Sequence, residues 1–140
     1  MTSEGVKAKL AILRDDLERL EQIPQATLPE FLADFRNLDS ALHRLQTSIQ
    51  ALINVATFVA STRGLGPLSS SIEALEKLEG HALLPAGATA RFAPIFGFRN
   101  RVVHLYDRID PAIVFKVLTE HRSDIVDLAK MLTAALTAAP

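Results

Sequence analysis

Not one of the 140 residues is a cysteine, so disulfides, thiolate metal sites and a cysteine nucleophile are all excluded. Neither charge sign is in excess: 15 Lys and Arg stand against 16 Asp and Glu. Non-specific nucleic-acid binders usually carry a basic surplus, so any polyanion site in this chain has to be a local patch. No apolar run suits a membrane span, because polar residues recur every few positions. The opening MTSEGVKAKL does not have the basic-then-apolar layout of a signal peptide, and the expectation is a soluble, cytoplasmic protein. Strand-like alternation, internal repeats and low-complexity runs are also missing. With 49% hydrophobic and 22% charged residues the chain reads as globular, and its length suits a single domain over residues 1–140.

The periodicity that is present is helical. Val6, Leu10, Leu13, Leu17 and Leu20 recur at alternating spacings of four and three, which places them in one stripe of a helix. Pro24 and the stretch PQATLP end it. A longer stripe runs through Leu38, Leu42, Leu45, Ile49, Leu52, Ala56 and Val59, with Asn37 or Asp39 as its cap and STRGLGP as its stop. SSSIEALEKLEG predicts a short helix opened by serines and closed by Gly80. The fourth helix spans about 88–106, with Pro94 and Gly97 inviting a kink. Asp110 and Pro111 open the fifth, whose stripe is Val114, Val117, Leu118, His121, Ile125, Leu128 and Leu132. Four long amphipathic helices and a short one predict an all-α, up-and-down helical bundle.

One segment of the fourth helix carries chemistry-bearing side chains. GFRNRVVHLYDRIDP, residues 97–111, holds three arginines, a histidine and the chain's only tyrosine beside the apolar residues Ile95, Phe98, Val102 and Leu105. Arg99 and His104 stand five positions apart, about 140° around an ideal helix, so spacing alone does not put them on one face. Asn100 and His104, one turn apart, do share a face. A histidine can take the proton of a ribose 2′-hydroxyl at neutral pH. A guanidinium can hold the phosphate by two hydrogen bonds and stabilise the charge that grows on it, with no metal required. By periodicity alone such residues are more often a solvated face.

The stretch FRNRVVHLYDRID resembles the signature of the HEPN superfamily in its HepT-like branch of small helical toxins, reading Arg99-Asn100, a short spacer, then His104-Leu105-Tyr106. RLQTSIQALINVATFVAS is similar to that family's second helix, SIEALEKLEGHALLP to its short connecting helix, and the likeness covers roughly residues 31–132. The resemblance implies a homodimeric, cofactor-free and metal-independent endoribonuclease, with the motifs of two subunits facing a shared cleft. Arg99 and His104 then map onto the catalytic pair, and Asn100 onto the polar residue that orients it. Convergence of groups from two subunits would also answer the angular misfit. Tyr106 maps onto the tyrosine that a partner nucleotidyltransferase antitoxin, MntA-like, adenylylates. The added AMP would place negative charge and bulk at a phosphate site and switch the toxin off.

Other polar residues have plainer readings. Tyr106 also fits an amphipathic residue with a packed ring and a wet hydroxyl. Asp110 reads as a helix cap, and His121 as a satisfied core or interface histidine. His43, Thr47, Gln50 and Asn54 form a polar line on the second helix, which is either an outer face or a secondary polar contribution to the site from Gln50 and Asn54. Relatives often place an acid there, where this chain has amides. A competing function is a non-catalytic HEPN module that partners a nucleotidyltransferase as its substrate-binding subunit, and the absent basic surplus favours it.

Overall fold

The computed structural model describes residues 3–105 and 108–138, all of whose regular elements are helices. They run in the order α1 (Ser3–Gln22), α2 (Leu28–Leu32), α3 (Phe35–Thr62), α4 (Ser71–Gly80), α5 (Ala88–Leu105), α6 (Pro111–Glu120) and α7 (Arg122–Thr137). The long α3 is the axis of the bundle and packs against every other helix. It can do so because it is apolar over most of its circumference: Leu42, Leu45, Ile49, Leu52, Ala56 and Val59 of the expected stripe are buried, and so are Ala41, Ser48, Ala51, Ile53, Val55 and Ala60. No helix among the described residues is long and apolar enough to cross a membrane.

The all-α architecture matches the expectation, with three differences in detail. The first is an added element in the linker after Pro24. Thr27 accepts a hydrogen bond from the amide of Glu30 at 3.2 Å and Pro29 sits in the first turn, so LPEFL forms the five-residue α2. Its Phe31 is fully buried against Phe115 of α6, with ring centroids 5.6 Å apart. As a result α3 starts earlier than expected. Asp34, not Asn37 or Asp39, is the cap, accepting from the amide of Arg36 at 2.9 Å, while Asn37 donates its side-chain amide to the Phe31 carbonyl at 3.1 Å.

The second difference is a break in the expected last helix. His121 leaves helical geometry, ending α6 and preceding α7. Its Nδ1 lies 2.9 Å from Asp124 Oδ2, so it is a satisfied histidine as expected, but it sits at a junction and not inside a stripe. The apolar spacing continues through the break without glycine or proline, so nothing in the sequence punctuates it. The third difference is the end of α4. Ala82, not Gly80, takes the left-handed backbone conformation (φ 60°), and the amides of Leu83 and Leu84 both reach the Leu78 carbonyl, at 2.9 and 3.2 Å. Gly64 plays the expected role after α3 with φ 70°.

Other signals act as read. Ser70 and Glu73 cap α4 reciprocally: the serine hydroxyl accepts from the Glu73 amide, and the Glu73 carboxylate accepts from the Ser69 amide. Asp110 accepts from the amide of Ala112 at 2.9 Å at the start of α6. α5 passes through Pro94 as one helix, with both Pro94 and Ala90, whose carbonyl the proline cannot serve, on the exposed side.

Candidate functional site on helix α5

The helix that carries the motif is held at its start and along its length. Glu79 at the end of α4 accepts hydrogen bonds from the amides of Thr89, at 2.7 Å, and Gly87, at 3.0 Å, covering the open N-terminus of α5. Those backbone donors, Thr89 foremost, hold the Glu79 carboxyl below the usual glutamate pKa. Arg91 clamps α5 to α7 through Asp124, at 3.0 Å, and Asp127. Phe92, Ile95, Phe96, Phe98 and Val102 then anchor α5 in the core.

With those residues inside, the polar ones fall where the helix angle puts them. Arg99, next to the fully buried Phe98, is half-buried on the side that meets α1 and α3. Asn100 and His104, one turn apart, are exposed on another side. Leu105, expected in the buried stripe, is instead 44% exposed, and Val103 on the other side of His104 is 43% exposed. Tyr106 lies outside the described residues. Arg99 and His104 do not meet within one chain, as their angular separation of about 140° requires.

Arg99 does meet the polar line of α3. A pocket of about 230 Å³ is lined by Lys9 and Ile12 of α1, Gln46, Thr47, Gln50 and Ala51 of α3, and Arg99 of α5. Of that line Thr47, Gln50 and Asn54 are half-buried, and His43 is exposed. Gln50 donates its amide to Asn54 Oδ1 at 2.8 Å, which leaves Gln50 Oε1 as a buried acceptor without a partner. Arg99 Nε is a buried donor without one. The two residues that carry these complementary groups line the same pocket.

Sequence reasoning missed several parts of this arrangement. Asp16 of α1 is buried, accepts from Arg44 Nη1 at 3.0 Å and from the hydroxyl of Thr47, and shares that arginine with Asp15. The group locks α1 onto α3, and its Thr47 also lines the pocket. In the sequence Asp16 sits one position before Leu17 in an ordinary amphipathic pattern, and its partners are about thirty residues away, so no local signal marks it. Lys9 is equally unmarked. A larger and mostly apolar cavity of about 940 Å³, lined by Leu10, Phe58, Leu65, Leu83 and Leu136 among others, takes no residue from α5.

The family model described as "Ribonuclease HepT-like" matches residues 13–132. Among curated proteins, the chain is 28% identical over 114 residues to the tRNA nuclease HepT of Aphanizomenon flos-aquae, covering 81% of this chain and 78% of that one. It is 25% identical over 126 residues to the mRNA nuclease HepT of Shewanella oneidensis, covering 90% and 94%. Among solved structures, it superposes with a TM-score of 0.82 and 25% identity on the tri-AMPylated Shewanella oneidensis HEPN toxin in complex with its MNT antitoxin, covering 96% of this chain and 99% of that one. The bundle built around α3, the Arg99–His104 motif on α5 and a family match over most of the chain converge: this protein belongs to the HepT-like ribonuclease family.

Proposed function

We propose that this protein is the toxin of a toxin–antitoxin pair and cleaves RNA without a metal, at a cleft formed by two copies of the chain. The observation that carries the reading is the disposition of α5. It holds Arg99 half-buried against α3 and presents Asn100 and His104 to solvent at its C-terminal end. His104 takes the proton from a ribose 2′-hydroxyl, and that oxygen attacks the adjacent phosphorus. The 5′-oxygen leaves, receiving a proton from the second subunit's histidine, and a cyclic phosphate forms. Arg99 stabilises the charge on the non-bridging oxygens, and Asn100 orients the histidine one turn on. Gln50, backed by Asn54, steadies the guanidinium from behind.

Two observations support the dimer. Convergence of Arg99 and His104 from two chains on one phosphate would answer their angular separation, and exposed Val103 and Leu105 flank His104 with apolar surface. RNA as substrate is supported by the names of the relatives, a tRNA nuclease and an mRNA nuclease. Regulation follows the AMPylated relative: an MntA-like nucleotidyltransferase adenylylates Tyr106, and the AMP blocks RNA by charge repulsion and occlusion. The cytoplasm, where RNA is made and used, is the site of action.

The test pairs two measurements. His104→Ala is expected to reduce RNA cleavage by about 10²–10⁴-fold and to relieve growth arrest, with the thermal midpoint unchanged because the side chain is exposed. Full toxicity in that variant removes the catalytic assignment and leaves the non-catalytic module. Intact mass after co-expression with an MntA-like nucleotidyltransferase is expected to show added AMP, lost in Tyr106→Phe. An unmodified but neutralised toxin means inhibition by binding alone.

A further inference from the structure

Lys9 is a cation for which the described residues supply no ion-pair partner. It lies on α1, far in sequence from the motif, yet it lines the same pocket of about 230 Å³ as Arg99. Its helical neighbours one turn away in either direction are Gly5, Val6, Ile12 and Leu13, so no acid can pair with it along α1. No ion pair to Lys9 forms among the described residues, whereas Lys7 is paired with Glu4. None of the other residues lining the pocket is acidic. The buried acid of α1, Asp16, is already occupied by Arg44 and by the hydroxyl of Thr47. The fold thus converges two cations, one from each end of the sequence, on a half-buried pocket whose other polar groups are amides and a hydroxyl. Like charges that line one recess repel, and an anion bound between them relieves that repulsion.

We propose that Lys9 is a phosphate-binding residue of the site: it contacts the RNA backbone beside the phosphate that Arg99 holds. The inference rests on the ribonuclease reading above and adds to it a residue from α1, outside the motif. A flexible ammonium is suited to this task, since it gathers a phosphate as a point charge without demanding one geometry, while the planar guanidinium of Arg99 serves the reacting phosphate. It also supplies a local basic contribution in a chain with no net basic surplus. Binding at Lys9 is electrostatic and indifferent to base identity.

The experiment measures affinity for a short single-stranded oligoribonucleotide of mixed sequence as a function of salt, in the full-length His104→Ala protein so that binding is read without cleavage. Adding Lys9→Met is expected to weaken binding several-fold and to reduce the slope of log affinity against log salt by about 0.7, the loss of one single-strand phosphate contact. Lys9→Arg is expected to restore both. In the catalytically intact protein Lys9→Met raises KM more than it lowers kcat. Should Lys9→Met fold poorly, Lys9→Gln provides the same readings. An unchanged affinity and slope in a folded Lys9→Met or Lys9→Gln protein overturns the proposal. No RNA affinity in the parent, together with no cleavage by the wild type, overturns the ribonuclease reading instead.

Discussion

Gln50 Oε1 and Arg99 Nε are a buried acceptor and a buried donor that line the same pocket, and neither has a hydrogen-bond partner. They come from α3 and α5, and nearly fifty positions separate them in the sequence. Buried polar groups are paired in the great majority of cases, and a pair left open at a site marks a place where geometry tightens when the site is engaged.

If Gln50 steadies Arg99, its removal should cost transition-state stabilisation more than substrate binding. Gln50→Ala is expected to lower kcat by about tenfold with little change in KM, as for the loss of one hydrogen bond to a charged group, worth about 1.5 kcal/mol. Gln50→Glu retains the acceptor and should keep activity near that of the wild type. Steady-state kinetics on a labelled RNA separate the two. Equal losses in both variants mean that the acceptor oxygen is not what Gln50 contributes.

Val103 lies one turn after Arg99 and next to His104, and it is 43% exposed. In the proposed dimer that surface is covered, so Val103→Asp should bury a charge in the interface. Light scattering on the eluting protein should then find a monomer that retains its helical content, and cleavage should fall with the dimer. A dimeric and active Val103→Asp protein would place the interface elsewhere.

Asp16 is the buried charge that joins α1 to α3, with Arg44 Nη1 at 3.0 Å and the Thr47 hydroxyl as partners. Truncating one member of such a pair leaves the other without its counter-charge. Arg44 is 27% exposed and keeps Asp15 at 3.0 Å, which softens the loss. Asp16→Ala is expected to destabilise the protein by about 3 kcal/mol in urea unfolding, whereas Asp15→Ala, at an exposed partner, should change little.

Asp34 caps α3 and pairs with Arg36, whose Nη2 lies 2.7 Å from Asp34 Oδ2. The hydrogen bond from the Arg36 side chain, followed by that from its backbone amide, lowers the carboxyl from its ordinary 3.8 to about 2. A depressed carboxylate stabilises the fold above its unfolded value and loses that contribution as pH falls through its folded value. The stability difference between wild type and Asp34→Asn should therefore be constant above about pH 5 and shrink between about pH 4 and pH 2. Thermal midpoints across that range check it, and a difference that does not vary with pH removes the carboxylate's role.

Much of this molecule is legible without coordinates because helical order is local. The 4-3 stripe from Leu42 to Val59, the Asp110–Pro111 start and the Ser70 cap depend on neighbours within a turn, and each stands as read. The motif on α5 is legible for the same reason, its parts lying within eight consecutive residues. The misses are of another kind. Asn37 and Asp39 are plausible caps by local preference, but Phe31 finds Phe115 across the bundle and shifts the start of α3 to Asp34. The break at His121 interrupts a stripe that has no punctuation: α6 and α7 both pack on α3, but α6 also reaches α2 while α7 reaches α1 and α5.

The local code thus settled that the chain is a helical bundle, most of the apolar stripes that face its core, and which eight residues hold the motif. Where Arg99 points, what stands behind it and which cations share its pocket were settled by packing. Lys9, Gln50 and Arg99 lie on three helices, and their meeting depends on how those helices seat against each other. That seating comes from long-range contacts such as Asp16 with Arg44 and Thr47, and Glu79 with the start of α5. No periodicity in the sequence encodes such contacts, since their partners are distant along the chain and become neighbours only when apolar faces are buried together.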